Sequence, residues 1–182
     1  MRTTLACTLA AAVAGGAALT FSTQTRAATD TALVPTSGYL LGKIDRWRRR
    51  TWYWQHVMGT RRWPTAYNAR KTRSLAYRRW ALRLWKHRAV RARHRALRPP
   101  HRQAWLCIHR HEGAWHSNTG NGFYGGLQMN LSFQQHYGRW LLRVKGRAHH
   151  WTPVEQIWVA ERARRSRGWY PWPATARACG LI

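Results

Sequence analysis

The stretch His109–Asn130, HRHEGAWHSNTGNGFYGGLQMN, decides how this chain folds. It starts as the end of a helix, passes Gly113, and continues through closely spaced Asn and Gly with aromatics set among them. That composition is turn and short-strand chemistry, because Gly and Asn accept backbone conformations that other residues resist. One carboxylate, Glu112, stands in the stretch, while the whole chain has five Asp and Glu against thirty-two Lys and Arg. A carboxylate kept among glycines, amides and rings in so basic a protein needs a physical reason.

Upstream, Gln103 to Glu112 reads as a helix ending at Gly113, and Pro99-Pro100 marks the boundary before it. Downstream, Thr152-Pro153-Val154-Glu155 is a helix start, with Thr as cap, Pro at the first position and Glu closing a capping box. The pattern predicts that helix to about Arg167, stopping at Gly168. WYPWPATARACGLI closes the chain. Residues 101–182 therefore read as a mostly helical α+β domain with a short glycine-rich β-hairpin.

Residues 42–100 are dense in Arg and Trp. Trp47, Thr51, Trp54 and Met58 recur at helical spacing, as do Tyr77, Trp80, Ala81 and Leu84, with Arg61-Arg62-Trp63-Pro64 between the two sets. Two basic amphipathic helices are expected, their Trp stripes packing on the domain that follows. Residues 28–41 are small and polar and read as a linker. Residues 1–27 have the layout of a signal peptide: Arg2, an apolar run from Leu5 to Phe21, and small residues at Ala27-Ala28. The run lacks the bulk and the basic stop of an anchor, and Cys7 precedes it rather than ending it, which argues against lipid attachment. No stable membrane span is expected after cleavage.

The net charge of +27 over 182 residues implies a polyanionic partner or surroundings. An exported chain points to an anionic cell wall, and no specific nucleic acid is expected. Removing the leader leaves Cys107 and Cys179, an even pair that reads as one disulfide in an oxidising compartment.

WLCIHRHEGAW, NTGNGFYGGLQM, EQIWVAERA and GWYPWP, in that order, resemble the domain of actinobacterial resuscitation-promoting factors, within the lysozyme and lytic transglycosylase superfamily. The resemblance covers about Ala104 to Cys179. It implies a lysozyme-like fold, peptidoglycan glycan strands as substrate, no cofactor, and Glu112 as the catalytic residue. The chemistry agrees: splitting a glycosidic bond needs a carboxylic acid aimed at the leaving oxygen. Trp115, Phe123 and Tyr124 are candidates for an apolar wall that disfavours its charge, while His109, Arg110, His111 and His116 oppose that effect if they face it. His111 and His116 lack the one-face spacing of a zinc helix, so no metal is expected.

A retaining lysozyme holds an Asp just before the Tyr-Gly-x-x-Gln string; here Phe123 takes that place. Glu155 and Glu161 fall on the later helix, where capping and salt bridging account for them. One acid/base fits a lytic transglycosylase, in which the sugar's own C6 hydroxyl closes a 1,6-anhydro ring. A muramidase-type hydrolase and a non-catalytic wall-binding protein are the alternatives. Expected substrate contacts are Trp115, Asn118, Thr119, Tyr124, Gln128, Asn130, Trp169 and Trp172. Gly120, Gly122, Gly125 and Gly126 are read as turn and close-approach positions, and Gln156 as structural. The chain departs from the family where Cys107 lies one helical turn before its usual place beside the glutamate and Cys179 lies well beyond Trp172-Pro173, which reads as a relocated bridge. Phe133 and Arg167 replace a Thr and a Gln that the familiar domains place near substrate.

Overall fold

The structure, a computed structural model, describes residues 36–65 and 74–182. The expected leader over 1–27 lies outside the described residues, as does most of the expected linker. Among the described residues six α-helices and one small hairpin follow in the order α1 (Ser37–Val57), α2 (Leu75–Ala96), α3 (Arg102–Glu112), β1 (Phe123–Tyr124), β2 (Met129–Asn130), α4 (Leu131–Lys145), α5 (Pro153–Arg167) and α6 (Pro173–Ala178), with a 3-10 turn (Ala148–His150) between α4 and α5. This is the mostly helical α+β class read from the sequence. The helix α1 starts earlier than expected. Thr36 caps it by accepting from the Tyr39 N–H at 3.4 Å, so the last residues of the 28–41 segment are helical.

α1 and α2 lie side by side in the same direction. Ile44 near the start of α1 packs with Ala81 and Trp85 in the first half of α2, while Val57 and Met58 at its end pack with Ala96. A 21-residue helix is about 32 Å long, a span the segment from Met58 to Ser74 is long enough to retrace. Trp63 is bound on that return path, its carbonyl accepting from Trp52 Nε1 at 3.1 Å. The buried stripe of α2 differs from the one expected. It runs through Ala81, Trp85, Ala89, Ala92 and Ala96, whereas Trp80 is 42% exposed. Small residues let the two backbones approach, so alanine spacing decides the register over ring size.

Both helices of the pair end on α5, which is buried on nearly every side from Glu155 to Ala163. Trp158 Nε1 donates to the Ala96 carbonyl at 2.8 Å, and Arg162 reaches the Val57 carbonyl at 2.9 Å. Burial, and Arg165 beside it, lower the Arg162 pKa to about 10. Glu155 is the polar centre of this junction: it completes the capping box with Thr152, accepts from Lys145 at 2.6 Å and takes the Tyr53 hydroxyl. Burial alone raises its pKa, but the hydrogen bonds from Lys145, Tyr53 and the Thr152 N–H together hold it below the ordinary value. Those expected Trp stripes are thus split, Trp54 packing toward α5 and Trp47 within the helix pair.

The main core gathers Trp105, Ile108, Leu127, Met129, Leu141, Trp151 and Ile157 from α3, the hairpin, α4, the turn before α5, and α5. α4 breaks at Gly138, whose backbone leaves the helical region (φ −125°, ψ 17°). A Cβ there would stand 2.5 Å from the ring of Trp151, so the break makes room for that indole. The expected bridge is present: Cys107 on α3 and Cys179 after α6 are bonded, their Cα atoms 6.0 Å apart. His111, one turn after Cys107, has a ring nitrogen within 4.8 Å of both sulfurs, but sulfurs bonded to each other are not thiolate metal ligands. Among the described residues no helix is long and apolar enough to cross a membrane.

Candidate active site

Glu112 is the last residue of α3, and Gly113 ends the helix at φ 145°. The chain then turns through Trp115 and the Asn/Gly run to the hairpin, in which Phe123 pairs with Asn130 and Tyr124 with Met129. Gly120, Gly122 and Gly125 take the expected positive φ, while Gly126 serves close approach: a Cβ there would meet the His109 ring at 2.5 Å. Gln156 on buried α5 fixes the hairpin from below. Its oxygen accepts from the Gly126 N–H at 2.9 Å, and its nitrogen reaches the carbonyls of Trp115 (2.8 Å), Ala148 (3.0 Å) and Trp151 (3.1 Å). The structural reading of Gln156 agrees with these contacts.

Glu112 is half-buried, and its Oε1 accepts from the Thr175 hydroxyl at 2.9 Å. Its situation separates it from the other described acids. Asp45 pairs with Arg48 at 2.8 Å, Glu155 with Lys145, and Glu161 with Arg164 at 3.1 Å and with His101. Among the described residues Glu112 is the one carboxylate with no basic partner, in a chain carrying thirty-two Lys and Arg. Arginines surround the surface, so a carboxylate meeting only a neutral hydroxyl is held apart from the pairing that claims the rest. Two of the neighbouring histidines are occupied elsewhere. His109 stacks on Trp115 at 3.9 Å, and His116 bonds the His149 carbonyl at 2.8 Å.

Two cavities of about 300 and 310 Å³ adjoin along the hairpin and the start of α4, sharing Asn130, Phe133 and Arg167. The first is also lined by Phe123, Gln128, Tyr170 and Trp172. Glu112 lines neither cavity itself, but its neighbours reach this wall. Gly113 lies against Gln128, whose Nε2 would stand 3.8 Å from a Cβ at that glycine, and Thr175 sits 3.4 Å from the Trp172 carbonyl. Gln128 has φ 46°, a left-handed conformation unusual for a side-chain-bearing residue, and its amide donates to the Gly125 carbonyl at 2.9 Å.

Of the expected substrate contacts, the structure brings Gln128, Asn130 and Trp172 to the cavity. Asn130 also caps α4 through the Phe133 N–H at 2.8 Å, and Trp172 is anchored to the Leu127 carbonyl at 2.8 Å. Asn118 and Thr119 are exposed on the loop before the hairpin. Trp115, Tyr124 and Trp169 lie outside the lining. Tyr124 is buried with its hydroxyl accepting from Arg147 at 2.8 Å, and Trp169 packs on Trp105 with ring centres 4.7 Å apart. The apolar wall expected from Trp115, Phe123 and Tyr124 is therefore divided, and only Phe123 faces the cavity. Thr175 was not among the expected residues. Its bond to Glu112 spans 63 positions, and nothing local in the sequence signals it.

Residues 101–175 match the family described as transglycosylase-like domain. This match covers 75 of the 182 residues, less than half of the chain. Over 69 residues the chain is 42% identical to a resuscitation-promoting factor of Micrococcus luteus, covering 38% of this chain and 29% of that protein. A resuscitation-promoting factor of Corynebacterium glutamicum is likewise 42% identical over 69 residues, with 38% and 35% covered. One from Mycobacterium tuberculosis is 41% identical over 66 residues, with 36% and 35% covered. The chain thus spans between about a fifth and a third of the length of the curated relatives it matches. The transglycosylase-like domain holds Glu112, Thr175 and every residue lining the two cavities. The paired helices α1 and α2 precede it.

Proposed function

We propose that this protein is a secreted peptidoglycan-cleaving enzyme with Glu112 as its single acid/base. The observation that carries the reading is that Glu112, alone among the described acidic side chains, has no salt-bridge partner, while its neighbours Gly113 and Thr175 adjoin the wall of a cavity of about 300 Å³. The target is the β-1,4 bond between N-acetylmuramic acid and N-acetylglucosamine. Protonated Glu112 gives its proton to the glycosidic oxygen, the bond breaks, and the substrate's 2-acetamido group stabilises the positive charge left on the sugar. Glu112, now a carboxylate, takes the proton of the C6 hydroxyl as that oxygen closes a 1,6-anhydro ring. The acid is regenerated and no water is consumed.

Thr175 suits both halves of this cycle. Its hydroxyl donates to Oε1 when Glu112 is ionised and can turn toward the Trp172 carbonyl when it is not. Oε2, with no protein partner among the described residues, is then the oxygen that exchanges the proton. Gln128 and Asn130 supply amides for acetamido and hydroxyl groups, and Phe123, Phe133 and Trp172 supply apolar faces. Asn118 and Thr119, exposed on the loop before the hairpin, are further proposed substrate contacts, and Trp115, Tyr124 and Trp169 brace the groove from behind its lining. The basic helix pair of residues 42–100 holds the enzyme near anionic wall polymers by long-range attraction, and 1–27 serves as the export signal.

Digestion of purified sacculi in heavy-oxygen water tests the mechanism. The products are expected to carry anhydro ends with no heavy oxygen, whereas label at new reducing ends would establish hydrolysis instead. Binding with no soluble product at all would favour a non-catalytic wall protein.

A further inference from the structure

A further cavity has no lining residue from the segment around Glu112. It measures about 580 Å³ and runs between α1 and α2. Trp47 and Trp54 wall it on one side, with Ala89 and Val90 on the other. Val90 is 63% exposed, an apolar side chain left open beside the buried Ala89 and Ala92 of α2. It shares no residue with the two cavities of the transglycosylase-like domain.

The chemistry of the lining is narrow. Its charged groups are the guanidiniums of Arg49, Arg50 and Arg93, and none of the three has a carboxylate partner among the described residues. Arg50 lies over the Trp47 ring at 4.8 Å, which joins a cation to the apolar wall. Its one hydroxyl, on Tyr53, is spent on buried Glu155. The lining has no amide and no carboxylate. Sugar hydroxyls need acceptors as well as donors, and apart from the Tyr53 oxygen the lining side chains offer donors alone, two indole N–H groups and three guanidiniums. An apolar chain ending in an anion satisfies both halves of the lining: the chain lies on Trp47, Trp54 and Val90, and the anion meets the arginines.

We infer that the groove between α1 and α2 is a binding site for an anionic phospholipid at a membrane surface, with one alkyl chain on the aromatic wall and the phosphate among Arg49, Arg50 and Arg93. Leu97, which caps the end of α2 one turn beyond Arg93, is likewise exposed. This attachment differs in kind from attraction to the wall. Net charge acts at a distance and is screened by salt, whereas a seated chain is held by apolar contact.

Co-sedimentation with vesicles separates the two. The probes are phosphatidylcholine vesicles with and without phosphatidylglycerol, at high salt, where the screening length falls to about 3 Å. The protein is expected to stay on the phosphatidylglycerol vesicles at high salt and to leave the others. Val90→Glu should lower that binding about tenfold, while Arg79→Ala, which removes the same unit of charge from α2 outside the groove, should change it less than about twofold. Val90 is exposed, so melting curves of the variant should match the parent, and its cleavage of peptidoglycan should be unchanged. Equal losses in the two variants, release of all protein at high salt, displacement by a neutral chito-oligosaccharide, or a dimer that masks the groove would each overturn the inference. Failure here leaves the enzymatic reading intact, because cleavage is scored separately.

Discussion

Gln156→Leu removes the one side chain that ties the hairpin to α5 and keeps nearly the same volume. Four hydrogen bonds disappear: one from the Gly126 N–H and three to the carbonyls of Trp115, Ala148 and Trp151. The Ala148 carbonyl keeps a second partner, the Trp151 N–H at 2.9 Å, so three backbone groups are left wanting. Each unsatisfied buried group costs about 1–3 kcal/mol, and partial relaxation puts the loss near the low end, about 3 kcal/mol. For a domain of this size that lowers the melting temperature by roughly 6–12 °C. The same change frees the Trp115 and Gly126 backbone and should depress cleavage more than stability alone explains. Far-ultraviolet circular dichroism against temperature, with muropeptide release measured well below the transition, reads both. Gln156→Glu is the sharper control: it keeps an acceptor for Gly126 but sets a carboxylate against three carbonyls, and should be worse than Leu. A melting temperature within about 2 °C of the parent for Gln156→Leu would refute the reasoning.

Thr175→Val removes a hydrogen bond to a charged group, worth about 1.5–3 kcal/mol, so kcat should fall roughly 10–100-fold with KM little changed, and Thr175→Ser should recover most of it. Steady-state rates on soluble glycan fragments decide this; equal losses in both variants would show that the hydroxyl is irrelevant. Stability should drop as the pH falls below about 6.5. His56 is held below the ordinary histidine value by burial and then by Arg62, and His149 by burial and then by His150 and Arg147, so the unfolded chain binds protons first. Glu155 adds to the loss once the pH passes below its ordinary 4.5, because its folded pKa is depressed and the unfolded carboxyl again takes the proton first. Urea midpoints across that range should fall monotonically, and a maximum near pH 4 would contradict the assignment. Reducing the Cys107–Cys179 bond, which spans 72 positions, should cost about 4 kcal/mol by the chain-entropy model. A calorimetric scan with and without reductant measures it.

Features carried by neighbours in the chain were legible. The capping box at Thr152, Pro153 at the first turn and Gly168 at the stop bracket α5 at its observed ends, because each acts within one turn of its own position. The glycine run after Glu112 likewise announced the hairpin. What crosses the fold was not legible. Thr175 meets Glu112 only after α6 has folded back on α3, and a threonine beside Pro173 looks like an ordinary helix residue. The same limit applies to α2: ring size suggested that Trp80 was buried, but alanines at Ala81, Ala89 and Ala92 allow close helix approach and turn Trp80 outward. Tyr124 was legible as a hairpin aromatic and not as a buried one, since Arg147, which binds its hydroxyl, lies 23 residues on.

The most direct test replaces one oxygen. Glu112→Gln preserves the shape of the side chain and its bond with Thr175 but cannot give or regain a proton. Mass spectrometry of what each protein releases from sacculi should find anhydro-muropeptides with the parent and none with the variant, while the variant still melts normally and still binds the glycan. Undiminished release by Glu112→Gln would contradict the account at its centre.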